Sequence, residues 1–129
     1  MSLNKIVSIW TANTGWDSPT LQDVMSPDYS DDGDFLGSEF SRAFSLDFVD
    51  DDVIEADIVE PTNSLARAIE GGSYDLDIIT DMRDKNTDLI DEPIDTIIAV
   101  YDYSFHGNPK NNMIRGKLFI YRGSFAYKN

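Results

Sequence analysis

The chain has 129 residues and a mass of 14.5 kDa, which fits one domain over residues 1–129 because chains this short rarely divide. It has no cysteine and a single histidine, His106, which excludes disulfides, thiolate chemistry and histidine clusters for a metal. No apolar run approaches the ~20 residues of a membrane span, and no signal peptide pattern opens the chain. We therefore expect a cytoplasmic protein that does not enter a membrane.

Acidic residues dominate one part of the chain. Lys and Arg number 10 against 24 Asp and Glu, for a formal net charge of −14. Residues 17–60 hold fourteen acids and one base, Arg42, whereas residues 103–129 hold five bases and no acid. A surface this acidic repels nucleic acid and anionic lipid and accelerates encounter with a basic partner. The pattern argues against direct nucleic-acid binding and favours a basic protein partner.

Apolar patterning and capping residues predict the elements of the first half of the chain. Ser18 and Pro19 are typical of a helix start, since proline is tolerated at the first helical position. Ser38 can cap a second helix. The expected elements are a strand over residues 5–12, a short helix over 18–25, a polar loop over 27–34, a helix over 39–44 and a strand over 53–60.

The second half alternates in the same way. The expected elements are a helix over residues 63–70, a helix carrying the stripe Tyr74, Ile78 and Met82, and strands over 96–105 and 117–121. The Gly, Asn and Pro residues of 106–112 predict a hairpin loop that joins the last two strands. The fold class is thus α+β, a mostly antiparallel sheet of about four strands with about four short helices packed on it, which we place on one face.

Residues 28–39 match the spacing of a twelve-residue EF-hand loop. Asp28, Asp32 and Glu39 stand at its first, fifth and twelfth ligand positions, and Gly33 stands at its sharp turn. Against the match, only one such loop is present and a proline precedes the first ligand. Calcium binding by this loop is an alternative function.

No arrangement typical of catalysis is found. The sequence contains no nucleophile elbow, phosphate-binding glycine loop or HExxH motif, and His106 lies beside a Gly-Asn-Pro turn that faces solvent. We expect no enzyme activity, no catalytic residue, no metal site and no cofactor.

Two clusters of aspartate are candidate contacts for Lys and Arg of a partner, and we expect them to lie near each other in space. Aromatic residues close to them in sequence are candidate anchors of an interface. The candidate partner-binding residues are Asp31, Asp32, Asp34, Asp50, Asp51, Asp52, Trp16, Tyr29 and Phe35.

Short motifs recur in order along most of the chain. They are Val7-Ser8-Ile9-Trp10, Asp32-Gly33-Asp34, Ser38-Glu39-Phe40, Asp47-Phe48 before Ile54-Glu55, Ser73-Tyr74 and Gly123-Ser124-Phe125-Ala126-Tyr127. In these motifs the chain resembles the immunity protein 22 family. The resemblance implies an α+β protein of a bacterial polymorphic toxin system, with Asp32 and Asp34 functionally important.

The resemblance also implies the partner. It is a cognate toxin domain, often a nuclease, neutralised by stoichiometric binding, and the acidic charge of the chain adds the expectation that its surface is basic. We expect the free chain to be a monomer. A further alternative is an acidic mimic of nucleic acid that inhibits a cellular DNA-binding protein instead of a toxin.

Overall fold

The computed structural model describes residues 4–46 and 51–128, with Asn4 and Asp51 described in their backbones only. Its elements are β1 (Asn4–Ala12), α1 (Ser18–Met25), β2 (Asp28–Tyr29), β3 (Phe35–Gly37), α2 (Glu39–Ala43), a 3-10 turn (Asp51–Val53), β4 (Ile54–Ser64), α3 (Leu65–Ile69), α4 (Asp75–Asp84), β5 (Leu89–Tyr101), β6 (Asn111–Ile114) and β7 (Lys117–Lys128). The α+β class with an antiparallel sheet is confirmed, and the main sheet has five strands in the order β4-β5-β1-β7-β6. In the described ranges no helix is both long and apolar enough to cross a bilayer.

The central strand β1 is buried on both of its faces. Val7 and Ile9 belong to one hydrophobic cluster, whereas Trp10 and Ala12 belong to another. Side chains alternate across a strand, so a strand that is apolar at both parities needs cover on both sides. This pattern explains why β1 lies inside the sheet, between β5 and β7.

Helices therefore cover both faces of the sheet, and our expectation of one covered face is wrong. Leu65 of α3 and Ile78 of α4 pack in the cluster of Ile9, on what we call the α3–α4 face. Leu21 of α1 and Phe40 of α2 pack in the other cluster, on the α1–α2 face. Apolar residues at both parities of the inner strands require this three-layer arrangement.

The predicted hairpin between the last two strands is also wrong. β1 lies between β5 and β7, so these two strands do not pair. The hairpin at this end of the chain joins β6 to β7 through Arg115 and Gly116, where Ile114 pairs with Lys117. The φ angles of Arg115 and Gly116 are 50° and 80°, as the two central residues of a type I′ turn require.

Helix boundaries depend on capping groups. Asp17, one residue before the expected cap, caps α1 by accepting a hydrogen bond from the Thr20 N–H at 2.9 Å. Ser38 caps α2 as expected, in a reciprocal box with Ser41. Residue 63 lies in β4 because that strand continues to Ser64, which caps α3.

An aromatic cluster forms the centre of the α1–α2 face. The Trp10 ring lies 5.1 Å from the centroids of Phe40, Phe105 and Tyr121, and 5.7 Å from Phe44. These rings come from β1, α2, β7 and the segment after β5. Their packing therefore holds α2, and whatever α2 carries, against the sheet.

Helix α4 closes the free edge of β7. Asp81 accepts a hydrogen bond from the Ala126 N–H at 2.8 Å, and Asp77 accepts one from the Lys128 N–H at 2.9 Å. Lys85 donates to a carbonyl of the same edge at 3.2 Å. These side chains occupy groups that a neighbouring strand would otherwise bind.

Replacing Trp10 with alanine tests the role of the aromatic cluster. Because Trp10 is 0% exposed, we expect Trp10→Ala to lower the free energy of unfolding by about 3–5 kcal/mol. Urea unfolding measures the change. Leu89, which is 78% exposed, supplies the control, since Leu89→Ala should alter stability by less than about 0.5 kcal/mol. Equal losses in both variants would contradict the prediction.

Candidate protein-binding site

Residues 28–37, which we call the acidic hairpin, form a tight two-stranded turn where a loop was expected. Ser30 donates its N–H to the Asp34 carbonyl and accepts from the Gly33 N–H, both at 2.9 Å. Its hydroxyl accepts from the Asp34 N–H at 3.0 Å. The turn is therefore ordered by its own bonds, and Asp31, Asp32 and Asp34 are exposed on it.

Arg42 holds the acidic hairpin against α2. Its Nη1 atom donates to the Leu36 carbonyl at 3.2 Å and to the Gly37 carbonyl at 2.9 Å. Its Nη2 atom forms an ion pair with Asp28 at 3.0 Å. The lone base of residues 17–60 thus serves the hairpin's own structure and neutralises none of the turn carboxylates. The signal in the sequence that could have indicated this role is that Arg42 is the one base among fourteen acids in residues 17–60.

An aromatic pair is exposed beside those carboxylates. Tyr29 is 62% exposed and Phe35 is 41% exposed, and their ring centroids lie 6.0 Å apart across the hairpin. Leu36, next to Phe35, is 48% exposed. Large apolar groups ringed by charge are typical of interface anchors.

The second aspartate cluster is only partly described. Asp50 and the side chain of Asp51 lie outside the described residues, while Asp52 is exposed in the turn before β4. Phe35 and Ile54 line a common crevice, which brings the base of the acidic hairpin to the start of β4. Asp52 is two residues from Ile54, so this end of β4 and the hairpin form one surface.

Trp16 lies apart from that surface. It is half-buried, with its ring 5.7 Å from the Phe119 ring. It precedes α1, whereas the acidic hairpin follows α1, and eight helical residues span about 12 Å. The structure therefore does not bring Trp16 together with Tyr29 and Phe35.

Asp95 holds the loop that carries Trp16. Its carboxylate accepts from the Thr14 N–H at 2.8 Å and from the Gly15 N–H at 2.9 Å. Thr96 donates to it at 2.8 Å. Burial of Asp95 opposes ionisation, but these hydrogen bonds outweigh it and lower the pKa of the carboxyl below its ordinary value.

Arg115 joins the β6–β7 turn to the acidic half of the chain. Its Nε atom donates to Glu39 at 2.9 Å, and its Nη2 atom forms an ion pair with Asp23 at 2.7 Å. The bonds to Glu39, then those to Asp23, raise the pKa of the guanidinium. A base of the C-terminal segment is thus paired with acids of the same chain.

The same contacts bear on the EF-hand spacing. Asp28 is paired with Arg42 and Glu39 with Arg115, so the first and last positions of the pattern face two different cations. Within residues 4–46 and 51–128 no three Asp, Glu or His side chains are grouped to hold a metal ion. This geometry gives the calcium alternative no support.

One half-buried hydrogen-bonded group was missed by sequence reasoning. Glu55 accepts from the Ser73 hydroxyl and from the Tyr101 hydroxyl, the latter at 3.1 Å. Burial, followed by the charge of Glu55, raises the pKa of Tyr101. His106, the chain's single histidine, instead bonds Ser104 at 3.0 Å. The Glu55 group links β4 to the start of α4 and lacks an imidazole base for nucleophilic catalysis.

Replacing Asp95 with asparagine tests whether the Asp95 carboxylate stabilises the loop that carries Trp16. At neutral pH, Asp95→Asn should cost about 1–3 kcal/mol, since its amide cannot accept from both backbone N–H groups. The pKa of Asp95 is lower in the folded state, so its stabilisation is present above the unfolded pKa, ~3.9, and is lost as the pH falls through the folded pKa. The deficit of the variant should therefore shrink below about pH 4.

Urea unfolding at a series of pH values measures this deficit. Asp91→Asn removes the same charge from an exposed position and should alter stability at neutral pH by less than about 0.5 kcal/mol. If the difference in unfolding free energy between the wild type and Asp95→Asn stays constant down to the lowest pH, the role of the ionised carboxylate is contradicted.

Comparison with known proteins identifies the family of this chain. The family described as Immunity protein 22 matches residues 7–128. No curated protein and no solved structure matches the chain. The family match spans the strands and helices of the described residues apart from the start of β1, so it applies to the fold that carries the acidic hairpin. The chain belongs to the immunity protein 22 family.

Proposed function

We propose that this protein neutralises a nuclease toxin by binding it stoichiometrically through the acidic hairpin. Family membership supports the coarser statement, an immunity function against a toxin. The nuclease chemistry and the binding surface are the proposal. Within it the chain acts as a single cytoplasmic domain, as an inhibitor and not an enzyme, without a cofactor, and is a monomer when free.

The observation that carries the proposal is a set of exposed carboxylates, unpaired among the described residues, on an ordered turn. The side chains of Asp31, Asp32 and Asp34 make no hydrogen bond or ion pair with any described residue, although the backbone of their turn is bonded to itself. Preorganised carboxylates lose little conformational entropy on binding, so they are suited to receiving Lys and Arg from a partner.

A nuclease supplies such a partner. It must hold a phosphate backbone, so its cleft presents Lys and Arg side chains. An acidic turn can take the place of phosphate in that cleft, with association steered to about 10⁸ M⁻¹s⁻¹ at low salt. Charge alone gives rate and orientation, and the exposed rings of Tyr29 and Phe35 offer the anchors that affinity requires.

Four of the ten bases, Lys5, Arg42, Lys85 and Arg115, form ion pairs with acids of the same chain, which favours a monomer. Lys5 pairs with Asp102 at 3.6 Å, and Arg115 pairs with Asp23 at 2.7 Å. These pairs consume charge that would otherwise attract the acidic half of a second copy. Exposed pairs of this kind contribute little stability, but they reduce the positive charge available for head-to-tail association.

Co-expression with the protein encoded by the neighbouring reading frame tests the function in cells. We expect growth to be rescued by this chain and rescue to weaken when Asp32→Asn and Asp34→Asn are combined. Plate survival measures both. Rescue by the double variant at full strength would keep immunity and move the interface elsewhere. No rescue from a neighbour confirmed as toxic would overturn the function and leave inhibition of a cellular DNA-binding protein to be tested.

Association kinetics test the electrostatic mechanism. The Asp32→Asn and Asp34→Asn pair should slow association about three- to tenfold at low salt, with a smaller effect at high salt, because steering is screened. Stopped-flow fluorescence measures the rates. The matched control is Asp84→Asn with Asp91→Asn, which removes two exposed charges from elsewhere in the chain. Equal slowing of association by both double variants would indicate that the net charge of the chain, and not the acidic hairpin, accelerates association.

A further inference from the structure

The main sheet ends at β4 on one side and at β6 on the other, and the part of β7 that extends beyond the short strand β6 has an open side. Side chains of α4 occupy the open edge of β7, as described above. β4 is the opposite edge strand and has eleven residues. Among the described residues, no group outside β5 forms a hydrogen bond with the backbone of residues 54–58. An edge of this kind is a template on which another strand can pair.

Sheet register fixes which backbone groups of β4 point outward. The Ile6 carbonyl accepts from the Tyr103 N–H at 3.2 Å, so it points toward β5. The backbone groups of Ser8, two residues later, also point toward β5, where Ser8 pairs with Val100. Hydrogen-bonding direction alternates along a strand, so Val100 bonds β1 and its neighbour Ala99 bonds β4.

The same alternation continues into β4. Ala99 pairs with Glu55, so the backbone groups of Glu55 point inward to β5. The N–H and C=O groups of Ile54, Ala56 and Ile58 therefore point outward. Three successive outward positions match the length at which an added strand forms a ladder.

A groove lies on each side of this edge. On the α3–α4 face, a groove of about 220 Å³ is lined by Asp57 and Glu70. On the α1–α2 face, a groove of about 180 Å³ is lined by Met25, Ile54 and Ala56. Successive side chains of an added strand point to opposite faces, so they would enter these two grooves alternately.

The grooves differ in chemistry. Asp57 and Glu70 are exposed and form no ion pair or hydrogen bond with a described residue, so their groove attracts cations. The opposite groove is uncharged, since its lining includes Met25, Ile54 and Ala56 together with Gln22 and Ser26. The segment that fits both carries Lys or Arg at every second position and uncharged side chains between them.

We propose that the toxin contributes an extended segment of this alternating basic and uncharged pattern, which pairs with the outer edge of β4 as an additional strand. The inference rests on the proposed function, because the toxin is its partner. It adds backbone pairing to the contacts of the acidic hairpin. The crevice shared by Phe35 and Ile54 makes the two surfaces continuous, so one toxin domain can occupy both.

The test uses the full chain and the protein of the neighbouring reading frame with its catalytic residue disabled. Hydrogen–deuterium exchange read out by NMR should show the amides of Ala56 and Ile58 slowed at least tenfold in the complex. Ala56→Pro removes one outward N–H that β5 does not use, so it should preserve the fold and weaken the toxin affinity about tenfold. Ala56→Ser keeps the N–H and should bind like the wild type.

The outcomes separate this inference from the proposed function. A toxin that binds while the Ala56 and Ile58 amides exchange as in the free protein overturns strand addition and leaves immunity standing. Equal weakening by Ala56→Pro and Ala56→Ser also overturns it, because the N–H would then be irrelevant. Should Ala56→Pro unfold, the amide exchange of the wild type decides alone. A toxin that does not bind the wild type overturns both proposals.

Discussion

Burial of β1 on both faces is the constraint on which the rest of the structure depends. Val7 and Ile9 require cover on one side, and Trp10 requires it on the other, so helices must lie on both faces of the sheet. The rings around Trp10 then hold α2 in place. Because Arg42 of α2 binds the acidic hairpin, the position of the hairpin follows from the burial of one strand.

Several basic residues hold separate elements together, as do acids such as Asp95, whereas the turn carboxylates of the acidic hairpin lie at the surface. Arg42 and Arg115 each join separate elements through ion pairs, and Lys85 helps to close an edge. With these cations paired internally, the turn carboxylates of the acidic hairpin have no partner in the described chain. A protein arranged in this way keeps its fold when it is alone and retains unpaired charge for a complex.

Edge protection is selective in this sheet. Where Asp77 and Asp81 accept from β7, further pairing is blocked, whereas the outward backbone groups of residues 54–58 in β4 bond to no described residue and lie next to the acidic hairpin. Evolution commonly blunts exposed edges because they aggregate. An edge bordered by unpaired carboxylates such as Asp57 is consistent with a partner that carries positive charge. The same carboxylates repel other copies of this chain.

The sequence by itself determined the α+β class, most element positions and the candidate aspartates, because apolar periodicity, caps and charge are local properties. It also carried the family resemblance, which the match over residues 7–128 confirms. Strand order, the second helical layer, the partners of Arg42 and the separation of Trp16 from Tyr29 were decided only by the tertiary structure. The physical reason is that strand pairing and ion pairs join residues far apart in the chain, and local pattern does not specify which distant groups meet.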